Sequence, residues 1–281
     1  MEAVQSWVEQ SPYARTLGVQ FERGSQEAVT LILPFRETNS NPGQALHGGC
    51  AASLVAIGGQ AVSRAALGES VGPFHTAGIQ VNYLAAAIGE DVIAQASLLR
   101  RGREMCFVET RVATREGKPI AQGTSMVRAR FGAPPAAAMT SAGDHGESDP
   151  GAMGPHVGKM PFTLERGLVV EHMTGGTSRI VMPLTPKNAD ASGGIHEGAL
   201  IALFDTTGAM ASWAETGPGR FKASTPSIQA QILAPPLEED LVAYGRLVHR
   251  DEMAFWADVE VAGQATRQVI ARGTVLYRIV T

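Results

Sequence analysis

Asp205 stands in an apolar run, "GGIHEGALIALFDTTGAM" (193–210), nine residues after His196. A carboxylate among such residues is partly desolvated, which makes it more basic and more nucleophilic than a surface Asp. It could take a proton from water as a general base or attack an electrophilic carbon itself, and the sequence leaves both roles open. An earlier run, "QALHGGCAASLVAIGGQAV" (44–62), has the same shape with His47 at its head. It carries Gly48 where the later run has Glu197, and Ala56 where the later run has Asp205. In a helix, an Asp eight positions past the N-terminus lies roughly 12 Å from it, too far to share a reacting atom with that end. Asp205 must therefore serve a different helix.

The two runs belong to a longer repeat. Shifting the chain by 149 positions brings "LILPF" (31–35) onto "IVMPL" (180–184), His47 onto His196, and "TAGIQVNYLAA" (76–86) onto "TPSIQAQILAP" (225–235). The register continues through "MCFVETRV" (105–112) against "AFWADVEV" (254–261) and, after one inserted residue, Gly123-Thr124 against Gly273-Thr274. A period this long is far beyond any solenoid unit, so the chain is a domain duplication. The expected domains are residues 1–131 and 159–281. Between them, 132–158 is rich in Gly, Pro, Ala and Ser without apolar periodicity and reads as a flexible linker.

Each copy has one pattern of elements. A strand ("EAVTLILPF", "SRIVMPL") leads through a polar loop into one long apolar helix, about 47–66 and 196–213. Segments alternating with period two follow, such as "AGIQVNYLA", "DVIAQASLLRRG", "EMCFVETRVATREG" and "PIAQGTSMVRARF", separated by Gly, Asp and Pro turn signals. A helix that is apolar nearly all round must be buried on most sides, and a strongly curved antiparallel sheet wrapped around it achieves that. The expected class is α+β, two tandem copies of a curved sheet around a central helix.

Composition narrows the function classes. With 281 residues and 44% hydrophobic content the chain can bury two cores. The net charge of -4, with scattered Lys and Arg, gives no footprint for nucleic acid. "MEAVQSWVEQ" has no signal-peptide pattern, and no uninterrupted apolar window is long enough for a membrane span, so a cytoplasmic location and no membrane contact are expected. Cys50 and Cys106 are outside any metal-binding spacing, so a reduced, metal-free chain is expected.

With its Asn41, His47, Gly48 and Gly49 in the first copy and Asp205 in the second, the chain resembles the hotdog fold, and in detail the small acyl-CoA thioesterases of the phenylacetate-pathway type. The motif of that family is an Asn six residues before His-Gly-Gly and an acidic residue nine after the His. The likeness spans both copies, including the lead-in "SPYARTLGVQFE" (11–22). It implies sites formed between two folds, the helix start from one and the carboxylate from the other. Here Asn41, His47 and Gly48 would face Asp205 and Thr225, a complete site within one chain. The Gly48 N–H would stabilise the thioester oxyanion and Thr225 would orient the attacking group, while Asn41 and His47 shape the loop at the oxyanion end. The reciprocal set, Asp190, His196 and Glu197 against Ala56 and Thr76, would lack the attacking carboxylate and the Asn and be inactive. The resemblance implies an acyl-CoA substrate, no other cofactor, and, by analogy with family tetramers, a homodimer of such chains, with a monomer as the alternative.

Other readings stand beside these. His47 could simply cap its helix, and Cys50, one turn on, reads as a packed core thiol. Glu197 could be a second acid, or a structural residue, since an acidic side chain at a helix start is electrostatically favourable in its own right. "LLRRGR" (98–103) and "VRARF" (127–131) offer Arg for the coenzyme phosphates or are solvated edge charges. Met210 and Trp213 could border a pocket for a small-to-medium or aromatic acyl group. A hydratase or dehydratase acting on enoyl or hydroxyacyl thioesters through His47 and Asp205, and a non-catalytic acyl-CoA binder, are the alternative functions.

Overall fold

In the computed structural model, which describes residues 1–129, 138–143, 146–219, 221–235 and 237–280, the strand-forming segments join into one twelve-stranded antiparallel sheet. In the first half, β1 (Gln20–Gly24) and β2 (Ala28–Leu33) precede the long helix, and β3 (Phe74–Tyr83), β4 (Val92–Arg101), β5 (Met105–Thr114) and β6 (Pro119–Ala129) follow it. The second half repeats this with β7 (Val169–Thr174), β8 (Thr177–Met182), β9 (Lys222–Ile232), β10 (Leu241–Arg250), β11 (Ala254–Gly263) and β12 (Val269–Val280). Strand order is β1-β2-β4-β5-β6-β3-β9-β12-β11-β10-β8-β7. The two sheets thus meet edge to edge at β3 and β9, with Gly78 opposite Gln231 and Asn82 opposite Ser227. Pairing these edges removes two open strands that would otherwise template association.

Among the described residues six α-helices accompany the sheet: α1 (Glu2–Gln10), α2 (Pro12–Leu17), α3 (Gly48–Leu67), α4 (Gly154–Val157), α5 (Pro161–Arg166) and α6 (Glu197–Thr216). The central pair begin one residue after the expected starts and run slightly further. Every residue from Gly49 to Ser63 of α3 and from Gly198 to Ser212 of α6 is buried, as apolarity on all faces requires. By length and composition α3 is apolar enough to cross a membrane, contrary to the sequence expectation, because its small and polar residues dilute the hydropathy less than a count of unbroken apolar residues suggests. In the protein, 83% of that window is buried.

The helices pack directly on each other through small residues. A Cβ on Gly49 would stand 2.6 Å from the Ala202 Cβ, and one on Gly198 would stand 3.0 Å from Ser53. Ser53 Oγ donates to the Gly49 carbonyl and lies 3.0 Å from that of Gly198. This close crossing lays the first turn of each helix against the interior of the other.

The segment between the halves is held wherever it is described. Thr140 bridges to Gln268 and Asp149 to His172. The Arg267 guanidinium donates to the Ser141 and Gly143 carbonyls, and Ser141 Oγ hydrogen-bonds to Glu260. Its low apolar content goes, among the described residues, with these polar contacts; residues 132–137 and 144–145 of the stretch lie outside the described residues.

Candidate active site

The two helix starts are built identically. Asn39 and its counterpart Asn188 are buried; their Nδ2 groups donate to Leu17 and Arg166 carbonyls, and their own carbonyls accept the His47 and His196 N–H groups. Each His then caps its helix, with Nδ1 accepting the N–H of Gly49 at 3.0 Å or Gly198 at 2.8 Å. The His47 ring stacks on Phe162 at 4.0 Å, and burial lowers its pKa to about 3; burial likewise brings His196 down to about 4. Both rings are neutral, with the proton on Nε2. Asn39 is a structural residue that the sequence motif did not single out, whereas Asn41 sits half-buried in the adjoining loop with its N–H on the Ala45 carbonyl.

His47 takes the second N–H of α3, on Gly49, and not the first, on Gly48. A Cβ at Gly48 would lie 2.7 Å from Asp205 Oδ2 and 3.4 Å from the Tyr83 ring. The first turn of α3 and the middle of α6 therefore meet, and the glycine is what permits the approach. Asp205 is 4% exposed, and its Oδ1 accepts the Thr225 hydroxyl at 2.8 Å. Burial raises its pKa to about 6, opposed by the Thr225 hydrogen bond. Oδ2 faces Gly48 and carries no protein donor among the described residues. Tyr83, which sequence reasoning missed, brings a buried hydroxyl without a hydrogen-bond partner among those residues. Its only sequence signal was position, at the end of a strand paired with the one bearing Thr225. Further along α6, Trp213 donates from Nε1 to the Tyr277 hydroxyl and stacks on Phe221, while Met210 is buried.

The reciprocal combination corrects an expectation. Its position equivalent to Asp205 is Ala56, yet a carboxylate is present, because Glu197 is long enough to cross from the start of α6 to the opposite half. Its Oε1 accepts the Thr76 N–H at 2.9 Å; its Oε2 accepts the Thr76 hydroxyl at 2.6 Å and Gln60 Nε2 at 2.9 Å. Both centres thus set a carboxylate against a threonine hydroxyl, from opposite helices.

Strand register also relocates the candidate phosphate ligands. Arg101 pairs with Cys106, Cys106 with Val127, and Val127 with Thr76, so this arginine run lies on the Glu197 side. The equivalent row beside Thr225 ends on Arg250, which is paired with Phe255 and ion-paired to Glu215. Arg130 of the second basic stretch lies outside the described residues. Cys50 is buried, its Sγ against the Asn39 carbonyl, and burial pushes its thiol up to about 12, a packed thiol and no nucleophile.

Residues 36–128 match the family model of the acyl-CoA thioesterase N-terminal domain. A curated protein of Halobacterium salinarum, described as an esterase, is 34% identical over 131 residues, which is 45% of this chain and 86% of that protein. The chain belongs to the acyl-CoA thioesterase family. Thioester hydrolysis is accordingly its reaction class. The architecture of this thioesterase is shared along its whole length by solved structures of low identity. A thioesterase II of Thermobifida fusca has a TM-score of 0.69 at 17% identity, covering 98% of this chain and 100% of that one. A hotdog-fold protein of Alicyclobacillus acidocaldarius has a TM-score of 0.68 at 15% identity, covering 98% of both chains. The tandem hotdog is therefore the fold of this thioesterase.

Proposed function

We propose that this thioesterase hydrolyses the thioester of a small-to-medium or aromatic acyl-CoA at one composite centre, formed by Gly48 of the first half and Asp205 with Thr225 of the second. The observation that carries the reading is the Asp205 carboxylate, fixed by Thr225 through one oxygen and abutting Gly48, the first residue of α3, with the other. The thioester carbonyl oxygen accepts the Gly48 N–H, where the helix dipole favours the developing negative charge. Asp205 then either takes a proton from water, whose oxygen adds to the carbonyl carbon, or adds to that carbon itself to form a mixed anhydride that water opens. In both routes the carbon–sulfur bond breaks and the departing thiolate takes up a proton, leaving a carboxylic acid and coenzyme A. Met210 and Trp213 border the acyl group.

A hydratase mechanism needs His47 as acid or base. Its neutral ring, with Nδ1 engaged by Gly49 and one face covered by Phe162, supports a capping role instead. The test is thiol release from acetyl-, hexanoyl-, decanoyl-, phenylacetyl- and benzoyl-CoA. Release from at least one is expected, with the preferred chain defining the acyl pocket. Tight binding of these compounds with no thiol released would overturn the proposal in favour of an acyl-CoA-binding protein.

A further inference from the structure

Beside Glu197 lies a cavity of about 410 Å³, bordered by Trp7, Gln60, Arg64, Phe74, His196 and Glu197. Its floor is a helix start with the same design as that of α3: His196 takes the second N–H and leaves the first, on Glu197, for a ligand. Gln60 is 5% exposed and gives its amide nitrogen to the Glu197 carboxylate, which can only accept. The amide oxygen is therefore the end left over, and it has no partner among the described residues. A buried acceptor without a donor is costly, and a ligand N–H or O–H placed in the cavity would relieve it.

We propose that this cavity is a second acyl-CoA site, one that holds the thioester without hydrolysing it. The inference rests on the acyl-CoA reading of the Asp205 centre. The Glu197 N–H receives the thioester carbonyl as the Gly48 N–H does on the other side. Gln60 Oε1 accepts the amide N–H that coenzyme A carries two carbons from its sulfur. Arg101, which ends β4 in the row that runs through Cys106 and Val127 to Thr76, supplies positive charge for the phosphates. The difference in chemistry lies in the carboxylate. Asp205 has one protein donor and an open oxygen, whereas Glu197 receives three, on both oxygens, and is fixed as part of the wall. Burial raises the Glu197 carboxyl pKa, its three donors oppose that rise, and with both oxygens engaged neither is open to take a proton from water or to reach a thioester carbon. The duplicated halves thus divide the labour of hydrolysis and retention.

The experiment is calorimetric titration of the full chain with an acyl-CoA analogue in which a methylene replaces the thioester sulfur. Two analogues bound per chain are expected in the wild type, falling to one in Gln60→Leu and in Thr76→Val. A wild-type stoichiometry of one, with Asp205→Asn abolishing thiol release, overturns this inference and leaves the Asp205 reading intact; no binding at all overturns both. Thiol release that survives Asp205→Asn and disappears on adding Glu197→Gln overturns the holding role, because the second centre would then be hydrolytic.

Discussion

Replacing Asp205 by Asn should make this thioesterase slower and more stable at once. Burial raises the carboxyl from its ordinary 3.8 to about 6. That rise corresponds to about 3 kcal/mol of unfavourable burial of the charged form, at about 1.4 kcal/mol for each tenfold change in acidity. Because the folded value is the higher one, the stability linked to this group is complete below pH 3.8 and is lost as pH rises through 6. At pH 8 the wild type bears the whole cost of the buried charge, whereas the Asn variant is uncharged and its Oδ1 can still accept from Thr225. Thermal unfolding of both proteins from pH 4 to pH 8 should therefore show curves that coincide at the acid end and separate towards pH 8. The variant should unfold there up to roughly 10 °C higher, an upper bound because the new amide is itself desolvated. Thiol release at pH 8 should fall by about 10²–10⁴-fold as the base or nucleophile is removed. A variant less stable than the wild type at pH 8, or a difference that does not grow with pH, would refute the reasoning and make Asp205 a structural hydrogen-bonding residue.

Three further outcomes follow from the same geometry. In Gly48→Ala the new methyl would press on Asp205 Oδ2 at 2.7 Å, so kcat should drop at least about 10-fold while circular dichroism shows the fold retained. In Thr225→Val the carboxyl loses the hydrogen bond that lowers its pKa, so the acid limb of the rate profile, near pH 6 in the wild type, should move to higher pH with a loss of about 10-fold in plateau rate. In His47→Ala the lost cap and ring contact should cost at least about 1 kcal/mol by urea unfolding, while the acid limb stays near pH 6 because this imidazole is already neutral there. Disappearance of that limb would identify His47 as the titrating group.

A good part of the site could be read from the repeat. The offset of 149 set Gly48 against Glu197, Ala56 against Asp205 and Thr76 against Thr225, and helical rise alone excluded Asp205 from acting at its own helix start. The sheet and its central helices followed from period-two alternation and from runs apolar on every face, which are local properties of the chain. Other features depend on which side chains meet across large separations. Gly49 against Ala202 and Ser53 against Gly198 set how closely α3 and α6 cross, and hence that Gly48 reaches Asp205. Phe162 behind His47 makes that histidine a neutral cap, and Tyr83 enters the site only because β3 pairs with β9. Glu197 is the sharpest case. The sequence determined that its helix position differs from that of Asp205, but side-chain length and the distance to Thr76 and Gln60 decided that its carboxylate fills the reciprocal centre. Residue type and spacing are encoded along the chain, whereas the meeting of one oxygen with one hydroxyl is set by packing between segments 121 residues apart.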